Sequence, residues 1–150
     1  ARKLKQREAI LFAYCRVLAE NNIIDPLNNI LLPAIKKGAE LQFLRNIRQL
    51  PISSADELIS AVQKQLHHDQ HSGKWLSCLA NLAAQAQQFS MAEKAFNSLV
   101  NLDGMQYDIT DLKSFAHVLE QQGEYQKANQ VLNKMVAQTT AIIKTSSQYQ

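Results

Sequence analysis

The sequence predicts an all-α fold of antiparallel helical hairpins packed side by side, about seven helices in all. Three observations carry this expectation. Apolar residues recur at helical spacing along nearly the whole chain. Breakers are few, with 4 Gly and 3 Pro among 150 residues. One apolar, small and aromatic pattern also occurs twice: Ala80, Phe89, Ala92 and Phe96 reappear as Ala116, Tyr125, Ala128 and Leu132 at a constant offset.

Taken in order, Leu4, Leu11, Tyr14, Cys15 and Leu18 predict a first helix over 2–21, ended by Asn21 and Asn22. Asp25 and Pro26 are a helix cap and first-turn proline for a second helix, which Gly38 closes. The segment ELQFLRNIRQLPI lacks a clean stripe, so 44–52 is expected to be an extended connector halted by Pro51. Ser54 and Glu57 then have capping-box spacing for a lone helix with Leu58, Val62 and Leu66 inward.

The polar run HHDQHSG separates that helix from a new stripe at Trp75, Leu76, Leu79, Leu82, Ala83 and Ala86. His67 and His71 are four apart, the spacing of a chelating pair on one helix. A metal site also needs a third ligand and an orienting partner, so the run is read as a helix-to-helix joint.

In the duplicated hairpins, Ala80 against Ala92 and Ala116 against Ala128 allow close helix crossings. Phe89 and Tyr125 are expected to wedge the turns, and Phe96 and Leu132 to fill the space toward the next hairpin. Ser90 and Glu93 form a second capping-box pair, and Gly123 supplies a left-handed turn residue. The stripe Val131, Met135, Val136, Ile142, Ile143 extends the last helix as a cap, before a fraying KTSSQYQ tail.

The expected organisation is one structural domain. Residues 1–52 form an N-terminal hairpin plus connector; residues 53–150 hold the lone helix and two hairpins, at about 73–106 and 109–142. Hydrophobic residues at 46% and charged residues at 19% exclude a disordered chain. The net charge of +3 is uneven, nine Lys/Arg against four Asp/Glu in residues 1–50 and seven against nine thereafter. That fits a solvated helix face, or an anionic partner or membrane surface near the first helix. Cys15 and Cys78 fall among apolar residues, where a buried thiol is the default, although spacing leaves a disulfide open.

No run approaches the ~20 apolar residues of a membrane span. The abrupt start without Met reads as a fragment of something longer. No Ser-His-Asp order, H-E-x-x-H, phosphate loop or isolated carboxylate pair is visible, so no enzyme activity, catalytic residue, metal or cofactor is expected. Asp108 and Asp111 are read as carboxylates stabilising a helix start, and Glu120 and Glu124 as flanking a turn.

Leu76, Leu79, Ala80, Ala92 and Phe96, then Leu112, Phe115, Ala116, Ala128 and Leu132, resemble the signature positions of the tetratricopeptide repeat. Trp75 is one place early, Leu99 and Met135 replace a customary Ala, and Gly104 replaces Pro. The longer run ADELISAVQKQLHHD…KWLSCLANLAAQAQQFSMAEKAFNSLV…YDITDLKSFAHVLEQQGEYQKANQVL is similar to the carboxy-terminal part of the proteobacterial HemY family. The resemblance implies a short right-handed solenoid and a non-enzymatic scaffold for protein partners, haem-biosynthesis enzymes among them. It also implies a parent in the bacterial inner membrane, with this domain facing the periplasm. Flavin-dependent oxidases sharing that name need a Gly-rich dinucleotide loop, and glycines only at 38, 73, 104 and 123 provide none.

In such repeats the first helix of each hairpin lines a groove. Carried over by position, the groove residues would be Lys74, Ser77, Asn81 and Gln85, then Thr110, Lys113, His117 and Gln121. Amides there suit a peptide backbone, and ammonium groups suit carboxylates. Nucleic acid is not an expected partner. The alternatives are a generic repeat adaptor in cell-envelope assembly or secretion, and a haem or porphyrin carrier using His117 or the His67 and His71 pair.

Overall fold

The computed structural model describes residues 2–148, the last two as backbone only. Among these residues there are eight α-helices and no strand. They are α1 (Arg2–Glu20), α2 (Ile24–Lys36), α3 (Leu41–Ile47), α4 (Asp56–His68), α5 (Gly73–Gln85), α6 (Phe89–Val100), α7 (Ile109–Gln121) and α8 (Tyr125–Gln148). Within this all-α fold α1 packs on α2, α5 on α6 and α7 on α8, while α6 packs on α7. Helix α4 packs against both α2 and α5 and so links the first hairpin to the later two.

Three turns share one backbone design. Asn22 (φ 56°), Gln87 (φ 60°) and Gly123 (φ 76°) each adopt the left-handed conformation. The next residue's N–H returns five residues: Ile23 to the Leu18 carbonyl (2.8 Å), Gln88 to Ala83 (2.8 Å), and Glu124 to Leu119 (2.9 Å). This doubly bonded helix end satisfies free carbonyls and reverses the chain within three residues. The first hairpin thereby aligns with the other two, Cys15 with Ala80 and Ala116, Leu27 with Ala92 and Ala128. All six of those residues are buried. The small residues Ala80, Ala92, Ala116 and Ala128 are buried between paired helices, and Gly123 and Gly38 (φ 84°) turn the chain as expected.

The core runs through every hairpin. Phe96 is fully enclosed and stacks on Phe115, with ring centroids 5.2 Å apart. Truncating such a residue to Ala typically costs about 3–5 kcal/mol. Leu132, its counterpart, is only half-buried because no described helix follows α8 as α7 follows α6. Gly73 marks a close approach: a Cβ there would lie 2.5 Å from atoms of Gln106, whose Oε1 accepts the Gly73 N–H at 3.0 Å.

Several expectations change. The segment 44–52 is not uniformly extended, because residues 41–47 form α3, making eight helices rather than seven. Leu44, Ile47 and Leu50 are buried at three-residue spacing, a stripe hidden by the neighbouring apolar Leu41 and Phe43. Neither serine capping box forms. Burial of Ile52 and Ala55 starts α4 with Ala55 as its cap and leaves Ser54 exposed. The tight turn starts α6 at Phe89, placing Ser90 inside the helix, while Glu93 accepts from Gln122 Nε2 (2.8 Å) instead. Tyr125 does not wedge its turn: it is 65% exposed, since the backbone bonds alone close the reversal. Ile142 and Ile143 are exposed rather than covering a hairpin face, because α8 outruns the shorter α7. The tail expected to fray is helical through Gln148, and Tyr149 and Gln150 lie outside the described residues.

Candidate functional site

The two predicted rows of binding residues have different fates. On α5, Ser77 and Asn81 are buried rather than groove-lining. The Ser77 hydroxyl donates to Asp111 Oδ1 (2.7 Å), and Asn81 Nδ2 donates to the same oxygen (3.1 Å) and to the Ser77 carbonyl (2.8 Å). Lys74 Nζ donates to the Ala39 carbonyl (3.0 Å) and lies 5.6 Å from the Trp75 ring centroid. Helix α3 packs against α5, and the segment from Ala39 lies beside Lys74, while Ser77 and Asn81 are engaged by Asp111 of α7. Gln85 alone of the four is exposed, at the helix end.

Arg48, which the sequence reading passed over, anchors that segment. Its Nη1 donates to Asp108 Oδ1 (2.9 Å) and Asp111 Oδ1 (3.0 Å), and its Nη2 to Asp108 Oδ2 (2.6 Å). Arg45 Nε approaches the same Asp108 oxygen at 3.5 Å. The two aspartates were expected at a helix start, and they do form a reciprocal capping box for α7. Each carboxylate accepts the other residue's N–H, at 3.0 and 3.1 Å. Two guanidinium groups thus face two carboxylates, leaving little uncompensated charge where α3, α5 and α7 meet.

This environment sets the ionisation of its members. Burial alone would raise the Asp108 carboxyl. The Arg48 hydrogen bonds, the Asp111 N–H and the charges of Arg48 and Arg45 outweigh it and hold the group below its ordinary value. For Arg48, burial opposes the charge, and the two carboxylates more than restore it. The charged forms of Asp108 and Arg48 are therefore both favoured.

On α7 the equivalent row is open. Thr110, Lys113, His117 and Gln121 are exposed, and among the described residues no hydrogen bond or ion pair engages their side chains. Spacings of three and four residues place them on one face. The opposite face, with Leu112, Phe115, Ala116 and Leu119, is buried. Residue by residue this row matches the α5 row, Thr110 with Lys74, Lys113 with Ser77, His117 with Asn81, Gln121 with Gln85.

The histidine-rich joint has no comparable organisation. Helix α4 ends at His68, so His67 is helical and His71 is not, which removes the one-face spacing. Asp69 Oδ1 accepts the His71 backbone N–H at 3.1 Å, an ordinary turn contact. Among the described residues no three His, Cys, Asp or Glu side chains group as a metal ion would require. Both cysteines are free and buried, and burial pushes the Cys78 thiol up to about 12. A depression of about 680 Å³ bordered by Leu76, Leu79, Phe89 and Met91 has Lys94 as its one charged lining residue. Gln88, Ser90 and Ser98 are its other polar lining residues. Among the described residues no helix is long and apolar enough to cross a membrane.

No protein-family model matches the chain, and no curated protein matches it.

Proposed function

We propose that this chain is a non-enzymatic interaction scaffold of tetratricopeptide type that holds a polypeptide segment of a partner along α7. One observation carries the reading. On the α5 row, Lys74 donates to the Ala39 carbonyl of the same chain, and Ser77 and Asn81 donate to Asp111 of α7, which also accepts from Arg48 just after α3. The equivalent row on α7 has the same spacing and no occupant from the described residues. Lys113 and His117 suit a carboxylate-bearing segment, with Thr110 and Gln121 supplying hydrogen bonds to its backbone. The site is smaller than the eight-residue groove expected from sequence: Gln85, Thr110, Lys113, His117 and Gln121.

The setting of that scaffold is proposed from the resemblance to the HemY family: the bacterial inner membrane, on the periplasmic side, with haem-biosynthesis enzymes as partners. The test is capture of those enzymes from solubilised membranes by the immobilised chain. Lys113→Glu should lower capture several-fold, one lost hydrogen-bonded contact being about 0.5–1.5 kcal/mol. Lys74→Ala should leave capture unchanged, because Lys74 is engaged internally. Equal capture by both variants, together with a haem absorbance band lost in His117→Ala, would favour the carrier reading instead.

A further inference from the structure

The α5 and α6 hairpin carries a groove separate from the α7 row. Leu76 and Leu79 of α5, with Phe89, Met91 and Ala95 of α6, floor this depression of about 680 Å³. Ser90, Lys94 and Ser98 follow one another at four-residue spacing along its edge. Helix α6 rises about 14 Å from Phe89 to Ser98, so the groove is elongated. Helices α4 and α7 pack against the hairpin on its two sides and leave the groove open. The same cleft recurs in the next hairpin, at the constant offset of the repeat. There Leu112, Phe115, Lys127, Gln130, Val131 and Lys134 stand for Leu76, Leu79, Met91, Lys94, Ala95 and Ser98. That later cleft measures about 340 Å³, with Val131 in place of an alanine and Lys134 in place of a serine. Its cations are engaged: Lys127 lies 3.2 Å from Glu124 and 3.9 Å from Glu93, and Lys134 lies 5.1 Å from the Tyr107 ring centroid. The larger groove differs. Ser90, Lys94 and Ser98 are exposed, and among the described residues no hydrogen bond or ion pair engages their side chains.

We propose that this groove binds a straight-chain carboxylate, the carboxylate held by Lys94 and the hydrocarbon chain laid along the floor. The shape selects the chain. A long apolar floor with a few polar groups at its edge, within the ~300–1,000 Å³ of small-molecule sites, suits a flexible apolar ligand. Met91, unbranched and polarisable, adapts to such a chain. The charge selects the head. Lys94 is the one charged lining residue and has no internal partner, so a single anion satisfies it, with a serine hydroxyl one turn away on either side as a second donor. Asp56 accepts from Gln88 Nε2 (3.2 Å) at the turn end of the groove, and it repels a carboxylate from that end.

The test is calorimetric titration of the chain with hexanoate, octanoate and decanoate, each below its micelle concentration. Saturable one-to-one binding is expected, tightening about two- to fourfold per added methylene, as burial of hydrocarbon requires. Decanol, of the same length without the charge, should bind several-fold more weakly than decanoate, and Lys94→Gln should erase that difference. Ser98→Phe, which fills the groove, should weaken decanoate about tenfold, and Lys113→Glu on the α7 row should leave it unchanged. Lys94 and Ser98 are exposed, and an unchanged helical spectrum verifies the fold of each variant. Absence of saturable binding overturns the proposal, as does an affinity that does not rise with chain length. A preference for decanoate over decanol that survives Lys94→Gln overturns it too, because the carboxylate then sits elsewhere. So does decanoate binding that is unchanged in Ser98→Phe.

Discussion

Replacing Arg48 with Met is the sharpest perturbation of the interior. It keeps the aliphatic stem and removes three hydrogen bonds, two to Asp108 and one to Asp111. The Asp111 carboxylate, 2% exposed, then keeps only the Ser77 hydroxyl, the Asn81 amide and the Asp108 N–H as donors, with no cation in contact. Breaking a buried pair by deleting one partner costs about 3–5 kcal/mol. Arg45 remains beside Asp108 and offsets part of the loss there, which places the expected cost near ~3 kcal/mol. Against a typical domain stability of about 5–15 kcal/mol this is a large fraction. Urea unfolding followed by helical circular dichroism should show a lowered midpoint at unchanged slope. Adding Asp111→Leu should cost less on the Arg48→Met background than on the wild type, because the stranded charge goes with it. A loss below ~1 kcal/mol for Arg48→Met would refute the claim that this cluster fastens α3 to α5 and α7. The pH dependence has a definite sign. With its carboxyl held below the ordinary value, Asp108 contributes stability in full above the usual carboxylate range, and loses it as pH falls through its folded value. The gap between wild type and Arg48→Met should narrow on acidification.

Gln87 holds at φ 60° the place that Gly123 fills in the next hairpin. Gln87→Gly should therefore stabilise by about 0.5–1 kcal/mol and Gly123→Ala destabilise by about 1–2 kcal/mol, read from melting curves. Ala80→Leu should cost about 1–3 kcal/mol by overpacking, since Ala80 has no exposed surface; an unchanged melting temperature would contradict the crossing assigned to it. Cys78, buried with its thiol pushed up to about 12, should resist a thiol reagent in the native chain and react once urea unfolds it.

The sequence made some features legible and hid others for physical reasons. Helix-period apolar stripes and small residues at crossings act locally, and they located α4 to α8 and the doubled hairpin. Gly123 and Gly38 were readable because left-handed backbone favours glycine, whereas Gln87 has no such mark, so the turn before α6 was expected but its left-handed residue was not. The α1 and α2 hairpin has the same turn, but Cys15, Leu27 and Leu31 replace the Ala, Ala and Phe of the second, which hides the kinship. Helix α3 spans seven residues, too few for a stripe to stand out. The polar cluster was invisible because it pairs Arg48 with Asp111, 63 residues away. Asp111 showed only its local capping role, and Ser77 and Asn81 looked like polar groups lining a groove. Only a fold that brings α3 over α5 makes them interior.

The central claim is that the α7 row faces a partner while the α5 row is filled from within. A photocrosslinking residue placed in turn at positions 113, 117 and 121, and for comparison at 77 on α5 and 129 on α8, tests it in the cells that make the protein. The account predicts a haem-biosynthesis enzyme crosslinked from 113, 117 and 121, none from 129, and from 77 only bonds within the chain to residues of α3 or α7. Crosslinking of a partner from 77, or equally from 129 and the α7 positions, would contradict it.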